Sequence, residues 1–369
     1  EVNWLEQALA VPRDSLYKYQ WHYPQMQLPA AWDVTKGKES VIVAVVDTGI
    51  VQHADLGARV LAGFDMISDP AIAGDGDGRD DNPRDEGKDL PQGASSWHGT
   101  HVAGTIGALT DNNAGVAGVD WNCRIVPVRA LGRGGGTGAD IAAAMAWAVG
   151  VPVQGVKANA SPAQVVNLSL GGDGPASQVY QDAIDEGNKR GAIFVIAAGN
   201  ENENTSNKRP ANQKNVLTVG AVGFTGSKAS YSNFGAEVDV VAPGGEMAQD
   251  ADGDGQPDGV LSTHADQKGA TNFGYEQGTS MATPHVAGLV ALMKSVNTAL
   301  DHAKAEQILK ETAVGAFKCS QGCGSGLVNA TSGARTSSGG LTRSSIDAGN
   351  RASFNVAGDS SATYAISLP

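Results

Sequence analysis

Three cysteines in 369 residues are too few for a disulfide framework, which excludes a fold stapled by disulfides. Long apolar runs are missing too. None approaches the roughly 18 residues that span a bilayer. No charged-then-apolar leader opens the chain, so a soluble chain is expected whose export signal has been removed or left out. Basic residues are outnumbered: 26 Lys and Arg stand against 39 Asp and Glu, a formal charge of -13. That balance argues against nucleic acid or an anionic membrane as partner, and favours solubility and cation binding. What the chain does have is glycine, 49 residues of it, with 41% hydrophobic residues. Length and composition suit one large globular core with many tight turns.

Strand and helix patterns alternate along most of the chain. Strands are expected over 41–46, 124–130, 165–170, 192–198 and 216–222, and helices over 98–109, 138–149, 177–190, 283–296 and 303–312. Alternation of this kind gives an α/β fold, a three-layer doubly wound sandwich with a mostly parallel central sheet. Ser332 to Gly340 reads as a linker by composition, with short strands beyond it over 352–356 and 362–368. Cys319 and Cys323 are close enough to bridge a short turn, or stand as two free thiols. Cys123 opens an apolar run and is expected as a buried, inert thiol.

Three stretches carry candidate chemistry. The run 40–46 is apolar and β-branched and ends at Asp47-Thr48-Gly49, the form of a buried parallel strand with a carboxylate at its carboxyl end, where ligands of such sheets bind. His98 opens a stretch of small apolar residues, His98-Gly99-Thr100-His101-Val102-Ala103-Gly104, readable as a buried helix. Ser280 lies in Gly278-Thr279-Ser280-Met281-Ala282-Thr283-Pro284-His285, just before a long apolar helix. Pro284 is expected in the first turn of that helix, which puts Ser280 at its entrance, where unpaired N–H groups favour developing negative charge. A serine hydroxyl is a weak nucleophile unless an imidazole takes its proton and a carboxylate fixes the imidazole. His101 and His285 fall inside helices and are expected as core histidines.

At these residues the chain resembles the subtilisin-like serine proteases, or subtilases, of the secreted bacterial type. The order Asp47, His98, Ser280 is the order subtilisin itself shows. Ala197-Ala198-Gly199-Asn200 matches the segment in which the family keeps its oxyanion-hole asparagine. The resemblance covers roughly Asp14 to Ala330, and implies a catalytic domain over 11–330. Residues 1–10 would then be a prodomain remnant or linker, and 331–369 a linker with a short β-rich extension. It further implies a secreted serine endopeptidase acting on protein or peptide substrates, expected to be monomeric, whose own prodomain serves as inhibitor or folding aid.

The same resemblance assigns substrate contacts. Gly134, Gly135 and Gly136 would form one backbone ribbon for extended peptide. Ser169, Leu170 and Gly171 would form the facing ribbon and one wall of the P1 pocket, and Ala197, Ala198 and Gly199 its other wall. Small walls imply a large apolar P1 residue, with Glu201, Lys208 and Arg209 near the rim and base and a wide P4 pocket beside Ala139. A structural Ca²⁺ site would use Asp14, Asp55 and Asn112 with carbonyls of Leu109, Ala114 and Val116. Two acidic segments read as further calcium loops on their own chemistry, because crowded carboxylates repel unless a hard cation or full solvation relieves them. One holds Asp65, Asp75, Asp77, Asp80 and Asp81; the other holds Asp250, Asp252, Asp254 and Asp258, spaced like part of an EF-hand loop but without the glutamate at its twelfth position. Three rivals remain. A processing protease for basic P1 residues would need acids in the pocket, of which only Glu201 stands out. An inactive binding protein on this fold is expected to lack part of the triad or Asn200, and an esterase on another α/β scaffold would show a Gly-x-Ser-x-Gly elbow.

Overall fold

The apolar run after Ser40 becomes the middle of a sheet. A computed structural model describes residues 10–314, 319 and 321–339, together with the backbone of three strands beyond them. The strands in chain order are β1 (Ile42–Asp47), β2 (Phe64–Asp65), β3 (Arg124–Arg129), β4 (Val165–Leu168), β5 (Gly172–Asp173) and β6 (Ile193–Ala197). They continue with β7 (Lys208–Arg209), β8 (Leu217–Val222), β9 (Val240–Pro243), β10 (Val260–Ala265) and β11 (Thr271–Glu276). The helices are α1 (His22–Gln25), α2 (Leu28–Trp32), α3 (Pro70–Ala73), α4 (His98–Gly107) and α5 (Gly138–Ala148). After them come α6 (Gln178–Lys189), α7 (Thr279–Val296), α8 (His302–Thr312) and α9 (Ala330–Ser337).

Seven strands form one parallel sheet in the order β2-β3-β1-β4-β6-β8-β9. The order reverses at β1, so the crevice beyond the carboxyl ends of β1 and β4 is a topological switch point. Side chains alternate across the sheet. Val43 and Val45 pack with Val102 and Ile106 of α4 and Val286 and Val290 of α7. Ala44 and Val46 pack with Ile141 and Met145 of α5 and Ile184 of α6. Burying a valine fully in this way contributes about 1.5–3 kcal/mol relative to leaving it exposed. The expected three-layer α/β architecture is therefore present, and the five expected strands all lie in the sheet. The edge strands β2 and β9 and the antiparallel hairpin β10–β11 were not expected: β2 is two residues long, and the hairpin has no clean apolar alternation.

Three local expectations need correction or completion. Helix α7 starts at Thr279, not at 283, so Pro284 lies inside it rather than in its first turn. The stretch 332–340, read as a linker, is largely helix: Asn329 Oδ1 caps α9 by accepting from Ser332 N, and Ala330, Gly333 and Ala334 are buried against α2 and α7. Serine and threonine content misled, because four small residues on one face, these three and Ser337, suffice for close helix packing. The two strands expected beyond 350 fall at β13 (Arg351–Asn355) and β14 (Thr363–Ser367), joined by β12 (Thr342–Ile346) in one antiparallel sheet. The segment 1–9 lies outside the described residues.

Cys319 and Cys323 are bridged, and Cys123 is a buried free thiol whose pKa is raised by burial first and by Asp120 second. His285 and His22 are fully buried, with His285 Nε2 2.7 Å from His22 Nδ1, and burial holds both uncharged. His101 is equally buried, its Nε2 2.9 Å from Val260 O. Both expected core histidines are core histidines.

Candidate active site

β1 delivers Asp47 to the crevice with no exposed surface. Its Oδ1 accepts from Thr48 N at 2.7 Å and faces His98 Nδ1 at 2.8 Å. A carboxylate only accepts, so His98 carries its proton on Nδ1 and turns Nε2 outward as the basic atom. Two features let the helix come this close. Gly99 has no side chain, and a Cβ there would stand 2.2 Å from Gly49 O. Trp97, the residue before His98, is held in the left-handed region at φ 55°, with its Nε1 donating to Asp266 O at 2.8 Å. A bulky residue adopts that conformation at a cost of about 1–3 kcal/mol, which the buried indole and its hydrogen bond offset. Burial works against charging His98, yet the neighbouring Asp47 carboxylate outweighs it and raises the pKa to about 9.

Ser280 is the second residue of α7. Thr279 N is taken by Asn200 Oδ1 at 2.8 Å, and Met281 N and Ala282 N both go to Gly278 O. Among the described residues the Ser280 N–H has no partner, and it opens on the pocket that Asn200 also lines. Pro284 has a use here. It has no N–H to give the Ser280 carbonyl four residues back, and Ser169 Oγ donates to that carbonyl instead, at 2.7 Å. Ser280 Oγ in turn donates to Ser169 O at 3.1 Å, so the two segments clamp each other. Thr279 also fixes the orientation of Asn200: its N–H and Oγ1 both donate to Oδ1, which leaves Nδ2 facing the pocket. Sequence reasoning missed the role of Thr279, which flanks Ser280, and the anchoring role of Ser169, which it had named only for the substrate ribbon.

The cleft between the two expected ribbons has a volume of about 470 Å³. His98, Gly134, Gly135, Gly136, Ser169, Leu170 and Gly171 all line it, as do Asp89 and Leu90 from the loop before α4. Gly134 and Gly135 have φ of 77° and 109°, in a turn closed by hydrogen bonds between Gly132 and Gly135 of 2.9 and 3.0 Å. A side chain at either position would be strained. Ile141 and Tyr180 also line the cleft. Ala139, assigned above to the P4 pocket, is not among the lining residues.

A smaller pocket of about 140 Å³ adjoins Ser280, walled by Leu170, Gly171, Ala197, Ala198 and Gly199. Its far side holds Glu201 and Lys208, as expected, in a charge cluster to which Asp173 and Glu203 also belong. Lys208 Nζ lies 2.6 Å from Asp173, 2.7 Å from Glu203 and 3.3 Å from Glu201. The pairing of β5 with β7 sets Asp173 opposite Lys208, a juxtaposition that no local pattern announces.

The expected calcium ligands divide. Asp14 and Asp55 are buried in one place, and among the described residues no basic side chain pairs with either carboxylate; Asn112 Nδ2 donates to Asp55 Oδ1 at 2.9 Å, and Asp111 N to Asp14 Oδ2 at 2.7 Å. Burial raises the pKa of each carboxyl, and each also feels a neighbouring carboxylate. Leu109, Ala114 and Val116 belong to the same loop, with Val116 N donating to Asp55 Oδ2. Such an oxygen-rich, anionic, cation-free nest fits a hard divalent ion.

Asp65 and Asp75 do not fit the expectation: both are ion-paired with the buried Arg129, which the parallel register sets beside Asp65. Asp77 is exposed, Asp80 Oδ1 accepts from Asn82 N, and Asp81 faces Lys157 at 3.7 Å. Arg129 and Lys157, both from outside the segment, thus pair with Asp65, Asp75 and Asp81. Asp250, Asp252 and Asp254 are exposed and converge, each offering an oxygen within 4.8 Å of the others. Asp258 is buried, and its Oδ2 accepts from Ala251 N at 2.8 Å.

Comparison with known proteins gives the family. The sequence model of the subtilase family matches residues 38–326. An extracellular protease of Xanthomonas campestris pv. campestris is 46% identical over 347 residues, covering 89% of this chain and 58% of that protein. An extracellular basic protease of Dichelobacter nodosus is 42% identical over 352 residues, covering 89% and 57%. The chain thus spans less than two thirds of the length of either relative. A solved structure of a protease from Pseudoalteromonas arctica superposes with a TM-score of 0.84 at 44% identity, covering 89% of this chain and all of that one. Matched over most of its length by the family's sequence model and by relatives of more than two-fifths identity, the chain belongs to the subtilase family.

Proposed function

We propose that the protein is a secreted serine endopeptidase that cleaves peptide bonds through an acyl-enzyme. The observation that carries this reading is the Asp47–His98 pair on a peptide-sized cleft, next to a pocket that holds two donors without partners among the described residues, Ser280 N–H and Asn200 Nδ2, the two cavities sharing Leu170 and Gly171. Extended substrate lies between Gly134–Gly136 and Ser169–Gly171. The Ser280 hydroxyl leaves the Ser169 carbonyl and turns to His98 Nε2, which takes its proton as Oγ attacks the scissile carbonyl. The resulting oxyanion receives hydrogen bonds from Ser280 N–H and Asn200 Nδ2, donors fixed in place before the reaction begins. His98 then protonates the leaving amine, and water releases the acyl group by the same route. The relatives named extracellular support export, and no helix among the described residues is long and apolar enough to cross a membrane.

The small walls of the pocket beside Ser280 favour a large apolar P1 residue. A second reading, a basic P1 residue, draws on Asp173, Glu201 and Glu203 around Lys208. A panel of peptide p-nitroanilides that differ at P1 decides between them, run with a serine-directed covalent inhibitor and mass mapping of the adduct. The expected result is an adduct on Ser280 and fastest turnover after leucine or phenylalanine; fastest turnover after lysine or arginine would select the second reading. No turnover and no adduct would overturn the enzyme assignment.

Asp14, Asp55 and Asn112, with carbonyls of the 109–116 loop, would hold Ca²⁺. The ion would relieve repulsion between two buried carboxylates and pin the segment after Val11 to that loop; it supplies no step of the hydrolysis. Binding only the native state stabilises it by about 2.7 kcal/mol at a free concentration a hundred times Kd. Chelation is therefore expected to lower Tm by several degrees while leaving kcat at low temperature unchanged, as read by calorimetry and initial rates. An unchanged Tm would contradict the site.

A further inference from the structure

Asp85 is buried at the edge of the crevice, 2% exposed, and among the described residues no basic side chain pairs with it. A buried carboxylate without a cation is costly unless hydrogen bonds hold it. Here both oxygens accept one: Oδ1 from Gly87 N at 2.8 Å and Oδ2 from the Thr48 hydroxyl at 2.6 Å. The Thr48 hydroxyl in turn accepts from Gly99 N at 3.0 Å. Thr48 follows Asp47 and Gly99 follows His98, so this bond is a second rung beside the 2.8 Å contact of Asp47 Oδ1 with His98 Nδ1. The loop that brings Asp85 in is seated on the end of β1: Ile50 N donates to Pro83 O at 3.1 Å, and Asp85 N to Ile50 O at 3.2 Å. Gly49 permits the approach, since a Cβ there would stand 2.6 Å from Pro83 O.

We propose that Asp85 is a positioning residue: its carboxylate fixes the Thr48 hydroxyl, which ties the start of α4 to the end of β1 and so sets the spacing of Asp47 and His98. The proposal rests on the hydrolytic reading above. A hydroxyl has one proton to give. Thr48 Oγ1 keeps a lone pair toward Gly99 N because that proton is drawn to Asp85. Gly99 N is one of the orphan donors in the first turn of α4, and Trp97 at the N-cap supplies no side-chain acceptor. Thr48 supplies one from the end of β1. The same residue holds Asp47, since Thr48 N donates to Asp47 Oδ1 at 2.7 Å. Thr48 thus grips Asp47 and the residue after His98, and Asp85 orients the grip. A misplacement of about 1 Å between reacting groups is enough to cost about 100-fold in rate. Burial raises the pKa of Asp85 to about 6, while the bonds from Thr48 and Gly87 act the other way. At neutral pH and above both oxygens therefore accept.

The experiment measures kcat and KM for the full chain, Asp85→Asn, Thr48→Val, Thr48→Ser and the double variant D85N/T48V. Asparagine keeps the shape of Asp85 but turns one oxygen into an NH2 group, which meets either the Gly87 N–H or a hydroxyl that already receives Gly99 N. D85N and T48V are each expected to lower kcat about 10- to 100-fold and to leave KM within about twofold of the parent's. T48S keeps the hydroxyl and is expected to recover most of the loss of T48V. The double variant is expected to fall no further than T48V, because the carboxylate acts through the hydroxyl. NMR of the His98 Nδ1 proton on an S280A background reads the same contact without turnover: the resonance moves in D85N and T48V and stays in T48S. Thermal melts establish that each variant is folded, and T48V against T48S carries the test if D85N does not fold. An inactive parent protein whose Nδ1 resonance moves in this way would sink the hydrolytic reading and keep the positional one. An unchanged kcat and resonance in a folded variant, a loss confined to KM, or additive losses in the double variant would overturn the role of Asp85.

Discussion

Ser280→Ala is expected to abolish peptide hydrolysis, with kcat falling about 10⁶-fold, the scale seen when subtilisin itself loses its serine. The variant removes one hydrogen bond, from Ser280 Oγ to Ser169 O, worth about 0.5–1.5 kcal/mol. The clamp survives through Ser169 Oγ on the Ser280 carbonyl, so the variant is expected to fold and bind peptide with an affinity close to that of the parent. Its residual rate is expected to remain above that of water, because the backbone N–H at position 280 and Asn200 Nδ2, the donors proposed above for the oxyanion, are unchanged. Initial rates and a thermal melt check both halves. Wild-type turnover by the folded variant would show that another nucleophile carries the reaction.

Asp47→Asn is expected to lower kcat by about 10⁴-fold at neutral pH, the scale that loss of this charge has in a Ser-His-Asp protease. Asparagine presents an amide that can donate to Nδ1, which moves the imidazole proton to Nε2, the atom that has to accept from Ser280. The pH dependence also shifts. The parent His98 has its pKa raised to about 9, with burial opposed by Asp47. A general base works only when neutral, so kcat/KM of the parent is expected to fall as pH drops below that value. Removing Asp47 lets His98 lose its proton at lower pH, and the acidic limb of the variant moves down accordingly. Rates from pH 5 to 10 and the tautomer of His98 by NMR test this. A loss under tenfold would mean that Asp47 does not govern the imidazole.

What could be read in the sequence followed its periodicities. The β-branched run before Asp47, the small residues after His98 and the apolar length after Ser280 each had one physical solution, and the sheet and its two helix layers followed. The contact of Asp47 with His98 needed only the ends of β1 and α4 to meet. Charge pairing was much less legible. Asp65 and Asp75 looked like crowded, uncompensated acids because Arg129 lies 64 positions after Asp65 and reaches it only through the β2–β3 register. Lys208 met Asp173 by the same kind of remote pairing. Pro284 misplaced the start of α7: a proline beyond the first turn costs a backbone hydrogen bond, and only the folded chain shows Ser169 Oγ supplying another.

Helix α9 gives the order of assembly a consequence of its own. Ala330 N donates to Met26 O at 2.9 Å, Thr331 Oγ1 to Gln27 O at 2.7 Å and Asn329 Nδ2 to Gln27 Oε1 at 3.1 Å, the last pair separated by 302 positions. Contacts this distant in sequence form late, since a large loop has to close before any of them is gained. During synthesis the segment around Gln27 emerges 302 positions ahead of its partner Asn329. The flank of α7 that α9 covers stays open until then. The seam at Gln27 thus works as a clock: the helix that bears Ser280 gains the cover of α9 only after residues 329–331 have been made.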